Sequence, residues 1–213
     1  MNKYIVEFIG TFFLVLAVVC TVNSDFGGAF QPIAIGGMLM VMIFAGGHIS
    51  GAHFNPAVTL GVWMRGKCDT KDVPGYMIAQ LAAGALAAFL GGSILGKNPA
   101  GVASTMDMAP GMIAEFLGTF ALVWVILNVA TAKSNAGNSF YGLAIGFTVT
   151  ACAYTLGGFG SGGCFNPAVA LGTLINGLNT GGSIGPIIVA DFVGGAVAAL
   201  AFKALYHSQG ADD

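Results

Sequence analysis

Apolar residues run along the chain in long blocks, separated by short polar or glycine-rich interruptions. Six blocks have bilayer-spanning length, over residues 4–22, 32–49, 74–96, 111–132, 139–157 and 184–206. Two further apolar stretches run for only about ten residues, short of the roughly 20 that a helix needs to cross. One sits between the second and third spans and opens His53-Phe54-Asn55-Pro56-Ala57-Val58. The other sits between the fifth and sixth and opens Cys164-Phe165-Asn166-Pro167-Ala168-Val169. Asn is a good N-cap, and Pro at the first helical position loses no needed N–H. A glycine-rich run precedes each, Gly46-Gly47 through Gly51 and Gly157 through Gly163, backbone that can bend or be approached closely. Half-length apolar helices reached through irregular backbone read as re-entrant elements. At membrane depth such backbone is tolerated only where it is buried in protein or lines a cavity.

The pattern repeats. Val6-Glu7-Phe8-Ile9-Gly10-Thr11-Phe12 matches Ala114-Glu115-Phe116-Leu117-Gly118-Thr119-Phe120, Ala34-Ile35-Gly36 matches Ala144-Ile145-Gly146, and Ala79-Gln80-Leu81 aligns with Ala190-Asp191-Phe192, all at nearly constant offset. The chain is therefore one transmembrane domain over residues 1–213, built from halves of about 1–97 and 111–207. Each half has three spans, an odd number, so the second is inverted in the membrane. Inverted repeats place a site near the midplane, with broken helix ends pointing into it.

Composition agrees. Charged residues make up 8% of the 213 and hydrophobic ones 56%, against roughly 25% charged in soluble proteins. The fold class is all-α membrane, with six transmembrane helices and two re-entrant half-helices. Lys3, Arg65, Lys67, Lys71 and Lys133 fall on one side of this topology and Lys97 alone on the other. That bias predicts cytoplasmic N- and C-termini. The short loops point to a plasma (inner) membrane. There is no basic cluster, so no nucleic-acid partner is expected, and the four cysteines show no metal or redox spacing. No nucleophile–base pair or phosphate loop is visible, so no enzymatic activity, metal or cofactor is expected.

The paired motifs, Gly47-His48-Ile49-Ser50-Gly51-Ala52-His53-Phe54-Asn55-Pro56-Ala57 and its second copy, together with the Glu-Phe-x-Gly-Thr-Phe span starts, resemble the major intrinsic protein (aquaporin) family over nearly the whole chain. The resemblance implies a homotetramer in the lipid bilayer whose subunits each carry a pore for water or small uncharged solutes.

Two half-helix N-termini meeting at one point give a positive potential, roughly half an elementary charge each, which repels cations. The Asn55 and Asn166 carboxamides offer N–H donors to a passing water. Backbone carbonyls of Gly46 to Phe54 and Gly160 to Phe165 are expected to supply acceptors along one wall. Glu7 and Glu115 are ionisable groups inside spans. They act either as a proton relay or as acceptors for loop N–H groups, and their symmetric placement favours the second. Gln80 and Asp191 occupy equivalent positions. Asp191 shares a face with Gly194, Gly195 and Ala198 and so points into the bundle. There it holds a loop, as Gln80 does, or sits near the pore and favours cations. His48 and His53 lie at the expected cytoplasmic mouth, as a pH gate or as loop-fixing hydrogen-bonding groups.

The chain departs from the family pattern at the outer constriction. Where most members carry Arg after the second Asn-Pro-Ala, this chain has Val169, and the Asp usual in glycerol-conducting members is Ala170. By motif distance the other constriction positions are Ile35, Ala153 (or Tyr154) and Gly163. That set is small, apolar and uncharged. It predicts a widened constriction open to glycerol, urea or neutral metalloid hydroxides. Two other classes stand beside the passive channel. A coupled secondary transporter would use Glu7, Glu115 or Asp191 and show saturable, gradient-driven flux; a junction-type structural member would conduct nothing.

Overall fold

A computed structural model describes residues 1–22, 28–96, 106–159 and 162–207. Among these, six helices are long and apolar enough to cross a membrane. They are α1 (Asn2–Val22), α2 (Gln31–Ser50), α4 (Val73–Phe89), α5 (Met108–Ile126), α6 (Tyr141–Leu156) and α8 (Gly181–His207). Single π-turns, Leu90–Ile94 and Leu127–Thr131, prolong α4 and α5. The short helices are α3 (Pro56–Met64) and α7 (Pro167–Asn176). Every span agrees with the hydropathy reading to within about three residues, as expected for a reading whose boundaries are its weakest part. The glycine run before the first motif is a correction. Gly46 to Ser50 continue α2 as helix, and irregular backbone begins only at Gly51, whose φ of +84° ends the helix. Lys97 and Gly160 lie outside the described residues.

Many large apolar side chains face outward, and small residues lie between the packed helices. On α5, Ile113 and Leu117 are exposed while Ala114 and Gly118 beside them are buried. This is a bundle dissolved in lipid, where helices gain from close backbone approach rather than from hiding leucines. The helices pair in matched sets. α1 packs on α4 as α5 packs on α8, α2 meets α6, and each half-helix docks on the last span of the other half, α3 on α8 and α7 on α4. The halves are thus interlocked. Lys3 pairs with Asp72, just ahead of α4, and Tyr4 donates to the same carboxyl at 2.7 Å. The N-terminus therefore lies on the same side as the basic connection after α3. The Lys3 ammonium, with the Tyr4 hydroxyl, holds Asp72 below the usual carboxylate range.

The docking of half-helices on spans needs glycine at two equivalent places. A Cβ on Gly84 would lie 2.6 Å from the carbonyl oxygen of Ala168, and one on Gly195 would lie 2.8 Å from that of Ala57. Backbone oxygens cannot swing aside as side chains do. Gly84→Ala should therefore destabilise the protein by about 1–3 kcal/mol. Gly37→Ala, whose Cβ would meet nothing within 4 Å, should be close to neutral. Thermal unfolding of both variants in detergent checks this.

Candidate functional site

Each half-helix starts on a capped Asn. Asn55 Oδ1 accepts the N–H of Ala57 at 2.8 Å and of Val58 at 3.4 Å, and Asn166 Oδ1 accepts that of Ala168 at 2.9 Å. These bonds hold the carboxamide oxygens on their own helices and turn the NH2 groups outward. Each NH2 then reaches across the molecule. Asn55 Nδ2 donates to the carbonyl of Phe165 at 2.8 Å, and Asn166 Nδ2 donates to that of Phe54 at 2.9 Å. The crossed pair ties the two N-termini together at the centre of the fold. A carboxamide has two N–H donors, so one on each Asn remains for a molecule in the cavity.

The crossing depends on strained backbone. Phe54 and Phe165, at equivalent positions, have φ of 50° and 49°, a region that costs a non-glycine residue on the order of 1–3 kcal/mol. The strain aims their carbonyls at the opposite Asn. It is held by the Glu-x-x-Gly unit that begins each half. Glu7 accepts the N–H groups of His53 at 2.9 Å and Phe54 at 2.7 Å, the Ser50 hydroxyl at 2.7 Å and the Gln80 amide at 2.8 Å. Glu115 accepts those of Cys164 at 2.8 Å and Phe165 at 2.6 Å. One turn on, Gly10 and Gly118 leave room for the two Phe rings, each of which would lie 2.2 Å from an added Cβ. Thr59 and Tyr76 extend the first anchor, Gln80 donating to the Thr59 hydroxyl at 2.9 Å and the Tyr76 hydroxyl to the Ser50 carbonyl at 2.6 Å. Sequence reasoning missed Gly10, Gly118, Phe54 and Phe165. Their signal was the recurrence of both residue types at equivalent places of the two halves.

A cavity of about 290 Å³ passes this crossing. Its walls are aliphatic on the helix side, with Leu14, Leu39, Ile43, Leu122, Ile145 and Val149, and polar on the loop side, with Asn55 and Asn166. Ile35, Ala153, Gly163 and Val169 all line it. Tyr154 does not. It is half-exposed, with its hydroxyl on the Ala29 carbonyl at 2.6 Å. The histidine pair divides. His53 is buried in the cavity wall with its ring nitrogen 3.1 Å from the Thr59 hydroxyl, whereas His48 is exposed on the last turn of α2, away from the cavity. Glu7, Gln80, Glu115 and Asp191 are fully buried behind the loops and do not line the cavity. That placement removes the reading of Asp191 as a pore-side group.

The carbonyl wall is shorter than the sequence suggests. Gly47 O is taken by the Gly51 N–H, Ser50 O by Tyr76, and those of Phe54 and Phe165 by the opposing Asn residues. The acceptors expected from Gly46 to Ser50 are inside a helix, because the hydrogen-bond ladder of α2 continues through them.

Comparison with known proteins gives one answer. The sequence profile of the Major intrinsic protein family matches residues 1–202. The chain is 36% identical over 215 residues to "Aquaporin NIP1-1" of Zea mays, covering 95% of this chain and 74% of that protein. It is 32% identical over 240 residues to "Aquaporin AqpM" of Methanothermobacter thermautotrophicus, covering 96% and 97%. Its fold matches the X-ray structure of the aquaglyceroporin from Plasmodium falciparum with a TM-score of 0.76 at 25% identity, over 93% of both chains. An inverted bundle whose two half-helices meet through crossed Asn-Pro-Ala caps, in a chain that this profile matches over residues 1–202, belongs to the major intrinsic protein family.

Proposed function

We propose that the protein is a passive channel for water and small uncharged solutes, with an apolar outer constriction that admits solutes of glycerol and urea size. The observation that carries this reading is the crossed Asn pair in an otherwise aliphatic cavity. A water there meets two fixed N–H donors and presents its own hydrogens outward, which interrupts a single-file proton wire. The helix ends behind the donors add positive potential against cations. Ile35, Ala153, Gly163 and Val169 form the outer filter, where bore rather than hydrogen bonding selects.

The carboxyl groups of Glu7, Glu115 and Asp191 lie behind the loops rather than in the cavity wall, which supports a loop-holding role for them over a proton-coupling one. The remaining parts of the proposal are a homotetramer with one pore per subunit, residence in the plasma (inner) membrane and cytoplasmic termini.

Stopped-flow light scattering on proteoliposomes tests the reading. Water, glycerol and urea permeabilities should all exceed those of empty liposomes, and solute flux should rise linearly with its gradient. Saturable flux driven by a proton gradient would establish a transporter instead, and no flux at all would establish a structural member. Water flux without glycerol or urea flux would refute the widened filter.

A further inference from the structure

The two loop anchors differ in chemistry. In the first half Gln80 gives an amide proton to Glu7 Oε2 at 2.8 Å. In the second half Asp191 stands at the equivalent place, fully buried and in hydrogen-bond contact with Glu115. Both partners are carboxyls. Two carboxylate oxygens cannot share a hydrogen bond without a proton, and two like charges that close cannot both persist in a buried site. Among the described residues, no cation is placed beside them. α8 meets α5 at Glu115 and Thr119, while α3 and α7, also packed on α8, carry no ionisable side chain. Cys164 is the other titratable neighbour. Arg65 stacks on Phe202 of α8, about three turns further along.

The hydrogen-bond partners locate the proton. Glu115 takes the backbone N–H groups of Cys164 and Phe165, one on each oxygen, donors that favour its charged form. Asp191 Oδ1 accepts the Thr119 hydroxyl at 2.8 Å, and the Asn166 backbone N–H also faces Asp191. Asp191 Oδ2 is buried with no donor. A buried oxygen without a donor is costly as an acceptor and satisfied as an O–H.

We infer that Asp191 is a protonated carboxylic acid donating from Oδ2 to the Glu115 carboxylate, so that an acid–carboxylate pair holds the second half-helix loop where an amide–carboxylate pair holds the first. Asp191 is thereby a positioning residue. Glu115 carries Cys164 and Phe165, and the Phe165 carbonyl holds Asn55.

Infrared spectroscopy of the full-length protein in lipid vesicles at neutral pH tests this. Solvated carboxyls are ionised there, so the wild type should show the C=O stretch of a protonated carboxylic acid, and Asp191→Asn should lose it. Asp191→Asn should keep water permeability within about twofold of wild type, because its amide can donate to Glu115 as Gln80 donates to Glu7. Asp191→Leu, with no donor, should lose most of it. A wild-type spectrum without the acid band, a band that survives in Asp191→Asn, or full conduction by Asp191→Leu would overturn the assignment. The wild-type band is read on the native protein, so the test holds whether or not a variant folds.

Discussion

Glu7→Leu should abolish water permeability and unfold the protein at a much lower temperature. The Glu7 carboxylate collects four donors from three places: Ser50 at the end of α2, His53 and Phe54 in the loop, and Gln80 on α4. The Ser50 hydroxyl can rotate, and the Gln80 amide keeps Thr59 as a partner. The two backbone N–H groups have no such alternative, and each buried orphan costs about 1–3 kcal/mol. The Phe54 turn, already strained, loses what holds it, and its carbonyl then leaves Asn166. Together these terms take a large share of a typical net stability of about 5–15 kcal/mol. Glu7→Gln should fall between wild type and Glu7→Leu, since one oxygen still accepts while an NH2 group is turned toward existing donors. Proteoliposome water flux and thermal unfolding in detergent measure both variants. Wild-type flux from a stable Glu7→Leu protein would show that the anchor does not position the crossing.

Val169→Arg should leave water permeability largely intact and cut glycerol and urea permeability by roughly 10- to 200-fold, the range in which a pocket discriminates by about one methylene of space. Val169 is buried in the cavity wall, one position beyond the Asn-Pro-Ala cap, and Ile35 and Ala153 line the same cavity. A guanidinium there occupies volume that a small polyol needs and leaves a path for water beside its N–H donors. It also adds a fixed positive charge to the dipole barrier, so any residual cation leak should fall in parallel. Unchanged solute flux, with the variant inserted in liposomes at wild-type level, would mean that the narrowest point lies elsewhere. The crossed Asn pair would then be the next place to look.

Local chemistry made much of this molecule readable in advance. Spans follow from the length of apolar runs, since a helix in lipid satisfies its own backbone. The half-helices follow from Asn and Pro at their starts, because capping involves only the next two or three residues. The repeat follows from direct comparison of the halves. A local signal also misled: Gly46-Gly47 reads as a loop, yet α2 runs through both to Ser50, because packing against neighbouring spans outweighs a modest glycine penalty. His48 and His53 look alike in the sequence but part company, since the left-handed Gly51 turns the chain between them and only His53 faces the cavity.

The sequence by itself determined the membrane class, the spans and their caps, because those depend on hydropathy and on contacts within a turn of helix. Tertiary structure alone decided what the polar residues do. The Asn55–Phe165 bond joins residues 110 positions apart, and the Glu7–Phe54 bond spans 47. Whether Glu7 relays protons or holds a loop, whether Ala153 or Tyr154 lines the cavity, and which partner Asp191 finds are all set by such distant pairings. In lipid a buried polar group must find its partner within the protein, and only the packed bundle determines which one lies within reach.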